Sequence, residues 1–265
     1  MNIPSVRAIA REQGMVLNGY VTIPSAASAE VYSLQGWDCV TMDMEHGGIG
    51  IDVAVDIARA VRASGVVPMV RIPRGDPSWV SVLLDAGVLG VTAAMVNTAE
   101  DARRLVQACL YPPAGVRGVS RQSRAAMIYG ADYLSSANDS ISLFAMIETA
   151  EGFRNLEDIV AVPGLTGVYF GGVDYASSLR GSDSSQKTED AEIQNAVNDA
   201  RKKIGQVCEE RQLIAGMNAS SVAVAGQLRS EGYRYITLSS DAVSMAASAR
   251  RLVADVRELA VRERL

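Results

Sequence analysis

Trp37-Asp38-Cys39-Val40-Thr41-Met42-Asp43-Met44-Glu45-His46-Gly47-Gly48 contains the one histidine of this 265-residue chain. Its apolar half reads as a buried strand, and the strand runs directly into three ionisable groups. Two glycines follow, which let the backbone come close to a ligand. Taken alone, the stretch reads equally well as a strand whose polar end frays into water.

Outward from it, the same rhythm recurs. Apolar, β-rich runs lie at 16–22, 39–45, 67–72, 91–96, 142–148, 167–172, 213–217 and 235–239. Between and after them stand helical patterns at 26–34, 53–64, 78–86, 99–110, 150–160, 191–210, 222–231 and 242–263. Asp76-Pro77 and Thr98 with Asp101 supply helix-start signals. Strands apolar on both faces belong to a parallel sheet covered by helices. Eight βα units predict a (β/α)₈ barrel, with residues 1–265 forming a single domain. A doubly wound open sheet is the alternative, but the glycine-rich phosphate loop after its first strand is missing. Two segments break the rhythm. One is the long excursion 111–138, of a length that is usually functional or an interface. The other is the Ser-rich connection 182–188, read as a mobile loop.

Composition narrows the class. With 48% hydrophobic residues the chain can bury a large core. A net charge of −5 without a basic block argues against nucleic acid or an anionic membrane as partner. Cys39, Cys109 and Cys208 are odd in number and widely spaced, which fits free thiols in a reduced cytosol. No signal peptide or membrane-spanning run is visible, so a cytoplasmic protein is expected. The Arg-containing last helix, with Arg250-Arg251, reads as a solvated or interface helix.

In a barrel, the C-terminal ends of the strands share one mouth. Strand two delivers Asp43, Glu45 and His46, strand three Arg71, strand five Glu148, and strand six Asp174. Singly, Arg71 reads as a rim ion pair, and Glu148 and Asp174 as helix caps. Together they offer two carboxylates from adjacent strands with no cysteine or second histidine nearby. That donor set suits a hard divalent cation (Mg²⁺, Mn²⁺ or Co²⁺) better than structural zinc. A cation, one Arg and one His fit the cleavage of a 2-oxo acid through a stabilised enolate. In that scheme Arg71 holds the enolate oxygen and His46 acts as acid/base, its imidazole oriented by Asp43 or Asp85. Gly171 and Gly172 would bring main-chain N–H groups to the substrate carboxylate. No lysine ends a strand, which disfavours a Schiff-base route.

These residues resemble the HpcH/HpaI family of metal-dependent, pyruvate-specific class II aldolases. The likeness runs from Ile23-Pro24-Ser25 through D-x-E-H, Val70-Arg71, Met95-Val96-Asn97-Thr98-Ala99-Glu100, Tyr111-Pro112-Pro113-Ala114-Gly115-Val116-Arg117-Gly118 and Ile147-Glu148-Thr149 to Gly171-Gly172-Val173-Asp174. The resemblance implies His46 as base, Arg71 as enolate stabiliser, and Asp43 and Asp85 as support for the histidine. It implies Glu148 and Asp174 as metal ligands, and a substrate pocket of Arg71, Met146, Gly171, Gly172, Val173 and Asp174. It further implies cleavage of a 4-hydroxy-2-oxo acid to pyruvate and an aldehyde. The assembly implied is a hexamer, a trimer of dimers, with the C-terminal helix (241–263) packed on a neighbouring subunit. Met146 stands where the family usually has Gln. That departure keeps open a condensing enzyme of the siderophore-type citrate synthase kind; a non-catalytic 2-oxo-acid-binding barrel is a third, separate alternative.

Overall fold

Eight strands hydrogen-bond in chain order, all parallel, and the last returns to the first, closing the barrel that the sequence predicts. The strands are β1 (Val16–Val21), β2 (Cys39–Asp43), β3 (Val67–Ile72), β4 (Gly90–Ala93), β5 (Ser142–Ile147), β6 (Gly167–Phe170), β7 (Ile214–Asn218) and β8 (Tyr233–Ser240). The computed structural model describes residues 3–74, 77–130, 132–180 and 190–262. Asp76, proposed as a helix start, and the connection 182–188 lie outside the described residues.

The helices are α1 (Val6–Gln13), α2 (Ala26–Ser33), α3 (Ile51–Ala63), α4 (Val80–Asp85), α5 (Ala99–Cys109), α6 (Arg124–Tyr129) and α7 (Tyr133–Ser140). After β5 come α8 (Ala150–Arg154), α9 (Leu156–Val160), α10 (Gly172–Arg180), α11 (Asp190–Glu210), α12 (Val222–Ser230) and α13 (Asp241–Arg262). The outer ring follows from helical spacing. On α3, for example, Ala54, Ile57, Ala58 and Val61 are buried at i, i+3, i+4 and i+7. Burying Ile57 or Val61 contributes roughly 1.5–3 kcal/mol each. Helix α5 starts with a complete capping box between Thr98 and Asp101, as the sequence predicts.

Four helices, α1, α6, α7 and α10, were not legible in the sequence. Helix α1 precedes the barrel, capped by Ser5 and ended by Gly14 at φ 74°. The excursion 111–138 carries α6 and α7, and Asn138 pins its ends by hydrogen bonds to both the N–H and the C=O of Tyr111. Helix α10 begins at Gly172, so Asp174 lies in its first turn rather than at a strand end.

The barrel interior is polar as well as apolar. Asn18 donates to Thr237 Oγ1 at 2.9 Å and accepts from Thr41 Oγ1 at 2.8 Å, and Thr41 meets the Tyr235 hydroxyl at 3.1 Å. Tyr169 donates to Thr237 at 3.0 Å and also bonds Asn218. This buried column rises from the barrel centre toward the C-terminal ends of the strands.

Asp241, at the start of α13, accepts from the Thr22 and Ile23 N–H groups and from the Thr22 and Ser28 hydroxyls, tying α13 to the β1–α2 loop. Beyond that foothold α13 leaves the barrel. Met245, Leu252, Val256 and Leu259 are exposed and fall on one helical stripe. All three cysteines are free and buried, and burial raises their thiol pKa values, so they stay protonated and inert. Among the described residues, no helix is long and apolar enough to cross a membrane.

Candidate active site

The D-x-E-H stretch folds into a tight turn organised by Asp43. Its Oδ1 accepts from the main-chain N–H groups of Glu45 and His46, both at 3.1 Å, and Gly47 N–H returns to the Asp43 carbonyl at 3.1 Å. A Cβ on Gly47 would sit 2.5 Å from that carbonyl oxygen, so glycine is required there. The turn replaces the frayed end that the sequence alone allowed.

Arg71 leans into the same turn from β3. Its Nε donates to Asp43 Oδ1 at 2.9 Å and one terminal nitrogen to Oδ2 at 2.6 Å, a two-pronged pair between largely buried groups. The other terminal nitrogen stands 3.5 Å from Glu45. The guanidinium carbon lies 5.1 Å above the centre of the Tyr20 ring. Despite burial, these partners hold Arg71 firmly protonated.

Glu148 follows β5 and is almost fully buried. It caps no helix, since Thr149 performs that role for α8. Its Oε1 instead accepts the Met95 N–H at 2.5 Å. Met95 presents that N–H from a left-handed conformation, φ 56°, strain that occurs mostly at functional positions. Gly171 makes room for the carboxylate: a Cβ there would lie 2.6 Å from Glu148 Cβ and 2.7 Å from Oε2. Burial above all, then the charges of Glu45 and Asp174, push Glu148 up to about 7, against the Met95 N–H and Arg71. Glu45 is raised for the same first reason, desolvation.

His46 is two-thirds exposed at the mouth, with Nε2 3.7 Å from Glu45 Oε2. The two acids expected to orient its imidazole have other partners. Asp43 is taken by Arg71 and backbone amides. Asp85, at the end of α4, accepts from Arg117 at 2.5 Å, and Arg117 in turn stacks on the Tyr111 ring at 4.4 Å. The Y-P-P-x-G-x-R-G motif therefore builds a buried anchor for the excursion. Within this chain the imidazole's acidic neighbour is Glu45.

Met146 is buried on β5 opposite Tyr169 and packs beneath Gly171. The Gly171 N–H is spent on the Ile147 carbonyl at 3.0 Å, which removes it as a substrate donor. The first-turn N–H groups of α10, from Gly172 to Asp174, are the ones helix geometry leaves for a ligand. Val173 and Asp174 are exposed at the rim.

Among the described residues, no three His, Cys, Asp or Glu side chains form a ready-made metal cage. The donor set nonetheless fits a divalent cation. Four acids (Asp43, Glu45, Glu148 and Asp174) share the region with one strong cation, and Arg71 already neutralises Asp43. Mg²⁺-type ions are commonly held by one or two carboxylates completed by water and substrate.

A sequence model of the HpcH/HpaI aldolase/citrate lyase family matches residues 18–248. The chain belongs to this family. Among its relatives, the hydroxypyruvate/pyruvate aldolase of Rhizorhabdus wittichii is 33% identical over 254 residues, 96% of this chain and 99% of that one. The 2-dehydro-3,6-dideoxy-6-sulfogluconate aldolase of Pseudomonas putida is 33% identical over 245 residues, 92% of this chain and 93% of that one. The solved HpcH/HpaI aldolase/citrate lyase family protein of Burkholderia cenocepacia J2315 superposes with a TM-score of 0.84 at 28% identity, covering 96% of this chain and 99% of that one. As an HpcH/HpaI protein with aldolase relatives, the chain is a lyase-type enzyme.

The geometry also exposes two groups that reading the sequence missed. Tyr20 reaches the site from β1, whose end carries no charge to attract notice; the Gly19-Tyr20 pair closing a strand was the available signal. The Met95 N–H is a backbone group, invisible in side-chain chemistry.

Proposed function

We propose that this enzyme is a divalent-metal-dependent, class II aldolase that reversibly cleaves a 4-hydroxy-2-oxo acid to pyruvate and an aldehyde. The reading is supported by a buried carboxylate, Glu148, which accepts the Met95 N–H, has room only because residue 171 is glycine, and is pushed up to about 7 by burial and then by the charges of Glu45 and Asp174. Glu148 and Asp174 would hold Mg²⁺, Mn²⁺ or Co²⁺, and the cation would supply Lewis-acid stabilisation of negative charge on the 2-oxo group.

The chain's own residues divide the remaining work. Arg71, with Nε and one terminal nitrogen fixed by Asp43, has its second terminal nitrogen to offer the developing enolate oxygen. His46, exposed at the mouth beside Glu45, takes the proton of the 4-hydroxyl as the carbon–carbon bond breaks. The first turn of α10 receives the substrate carboxylate, while Met146 and Gly171 form an apolar floor. The direct test is release of pyruvate from a panel of 4-hydroxy-2-oxo acids. EDTA is expected to abolish it, and Mg²⁺ or Mn²⁺ to restore it; no release with any substrate and ion would overturn the reading. Met146, in the place of an amide, favours one second reading, condensation of an enolate with another acceptor. Citrate formation from oxaloacetate and acetyl-CoA distinguishes it.

The same proposal includes assembly as a homohexamer, with α13 exchanged onto a neighbouring copy. Its support is the exposed stripe of Met245, Leu252, Val256 and Leu259, which one chain leaves uncovered. Leu252→Glu with Val256→Glu is expected to reduce the particle mass by light scattering with barrel folding intact. An unchanged mass would exclude α13 from the interface. A cytoplasmic location completes the proposal and agrees with free, protonated thiols.

A further inference from the structure

We propose that Tyr20 is a positioning residue of this site, its ring the seat that holds the Arg71 guanidinium in its working pose. The inference rests on the aldolase reading and extends it to a residue of β1. Asp43 and Glu45 restrain Arg71 through hydrogen bonds and charge, which act in the plane of the guanidinium. They leave tilting out of that plane unopposed. The Tyr20 ring, 5.1 Å from the guanidinium carbon, supplies the missing restraint through its electron-rich face.

The seat is itself fixed from three directions. The β1–β8 register shifts between Asn18 and Gly19, directly before Tyr20, and irregularities of this kind are over-represented next to active sites. Gly19 lets Tyr32 and Trp37 close on the outer face of β1, where a Cβ would fall 2.5 Å from Tyr32. On the inner face, Tyr20 is buried and its hydroxyl lies beside that of Tyr169, the top of the polar column.

Ring-retaining and ring-deleting variants separate the contributions. In metal-supplemented pyruvate release, Tyr20→Phe and Tyr20→Trp should stay within about threefold of the parent kcat. Tyr20→Leu should lose about tenfold in kcat with KM within about twofold, the pattern for an interaction needed mainly in the transition state. A double-mutant cycle with Arg71→Lys should be non-additive. Parent-like kcat in Tyr20→Leu, an equal loss in Tyr20→Phe, or an additive cycle would overturn the proposal. The ring-current shift of the Arg71 Nε–H resonance reports the contact without turnover, so it remains informative should Tyr20→Leu fold poorly. If the shift is present in a parent enzyme that releases no pyruvate, the aldolase reading fails. If the shift is absent, the positioning role fails.

Discussion

Arg71→Ala is expected to reduce pyruvate release by about 10²- to 10³-fold, the range seen when a preorganised donor to developing negative charge is removed. It should also destabilise the fold by about 3 kcal/mol, because Asp43 is left as a buried carboxylate without its cation. The two backbone N–H groups that Asp43 still accepts keep that loss from being larger. Arg71→Lys separates the effects. It restores positive charge and most of the stability but cannot reproduce the two-pronged contact, so activity should recover only in part. Steady-state kinetics and urea unfolding on the same preparations check both. An Arg71→Ala variant with parental kcat would remove Arg71 from the mechanism.

The second large effect concerns Glu148. Its folded-state pKa is raised from 4.5 to about 7, so the folded protein binds a proton more tightly than the unfolded chain. The associated stability is fully present below about 4.5 and is lost as pH rises through about 7, amounting to roughly 3 kcal/mol. Unfolding of the EDTA-treated protein should therefore become easier across that window. A divalent ion should reverse the trend, since a cation binds the ionised carboxylate, and its apparent affinity should rise with pH through the same range. Glu148→Gln is expected to flatten the pH dependence and to stabilise the metal-free protein above pH 7, while abolishing EDTA-sensitive activity. Parallel pH–stability curves for parent and Glu148→Gln would show that this carboxylate does not titrate as described.

The barrel was legible because its periodicity is unbroken where it matters: β3 was read at its observed limits, and the other strands within a few residues. The grouping of the candidate site was legible where charged side chains sit at strand ends, as with Asp43, Glu45, His46, Arg71 and Glu148. What escaped obeys other physics. The short α1, α6 and α7 have no strand pairing to frame them, and α10 starts at Gly172, which the sequence pattern places at the end of a strand. Asp43 and Asp85 were expected to orient the histidine, and the family resemblance implied the same support. Within this chain they pair with Arg71 and Arg117, residues 28 and 32 positions away that no local pattern announces.

The hydrogen-bonded column inside the barrel has a consequence for how the cylinder closes. Strand side chains alternate faces, so sliding β1 by a single residue would turn Asn18 outward and take one hydrogen-bond partner from each of Thr41 and Thr237, leaving them only Tyr235 and Tyr169. Each hydrogen bond lost in this way costs about 0.5–1.5 kcal/mol, a penalty that a purely aliphatic filling would not carry. Asn18 thus works as a key in a lock, admitting one alignment of the first strand with the last and rejecting its near misses.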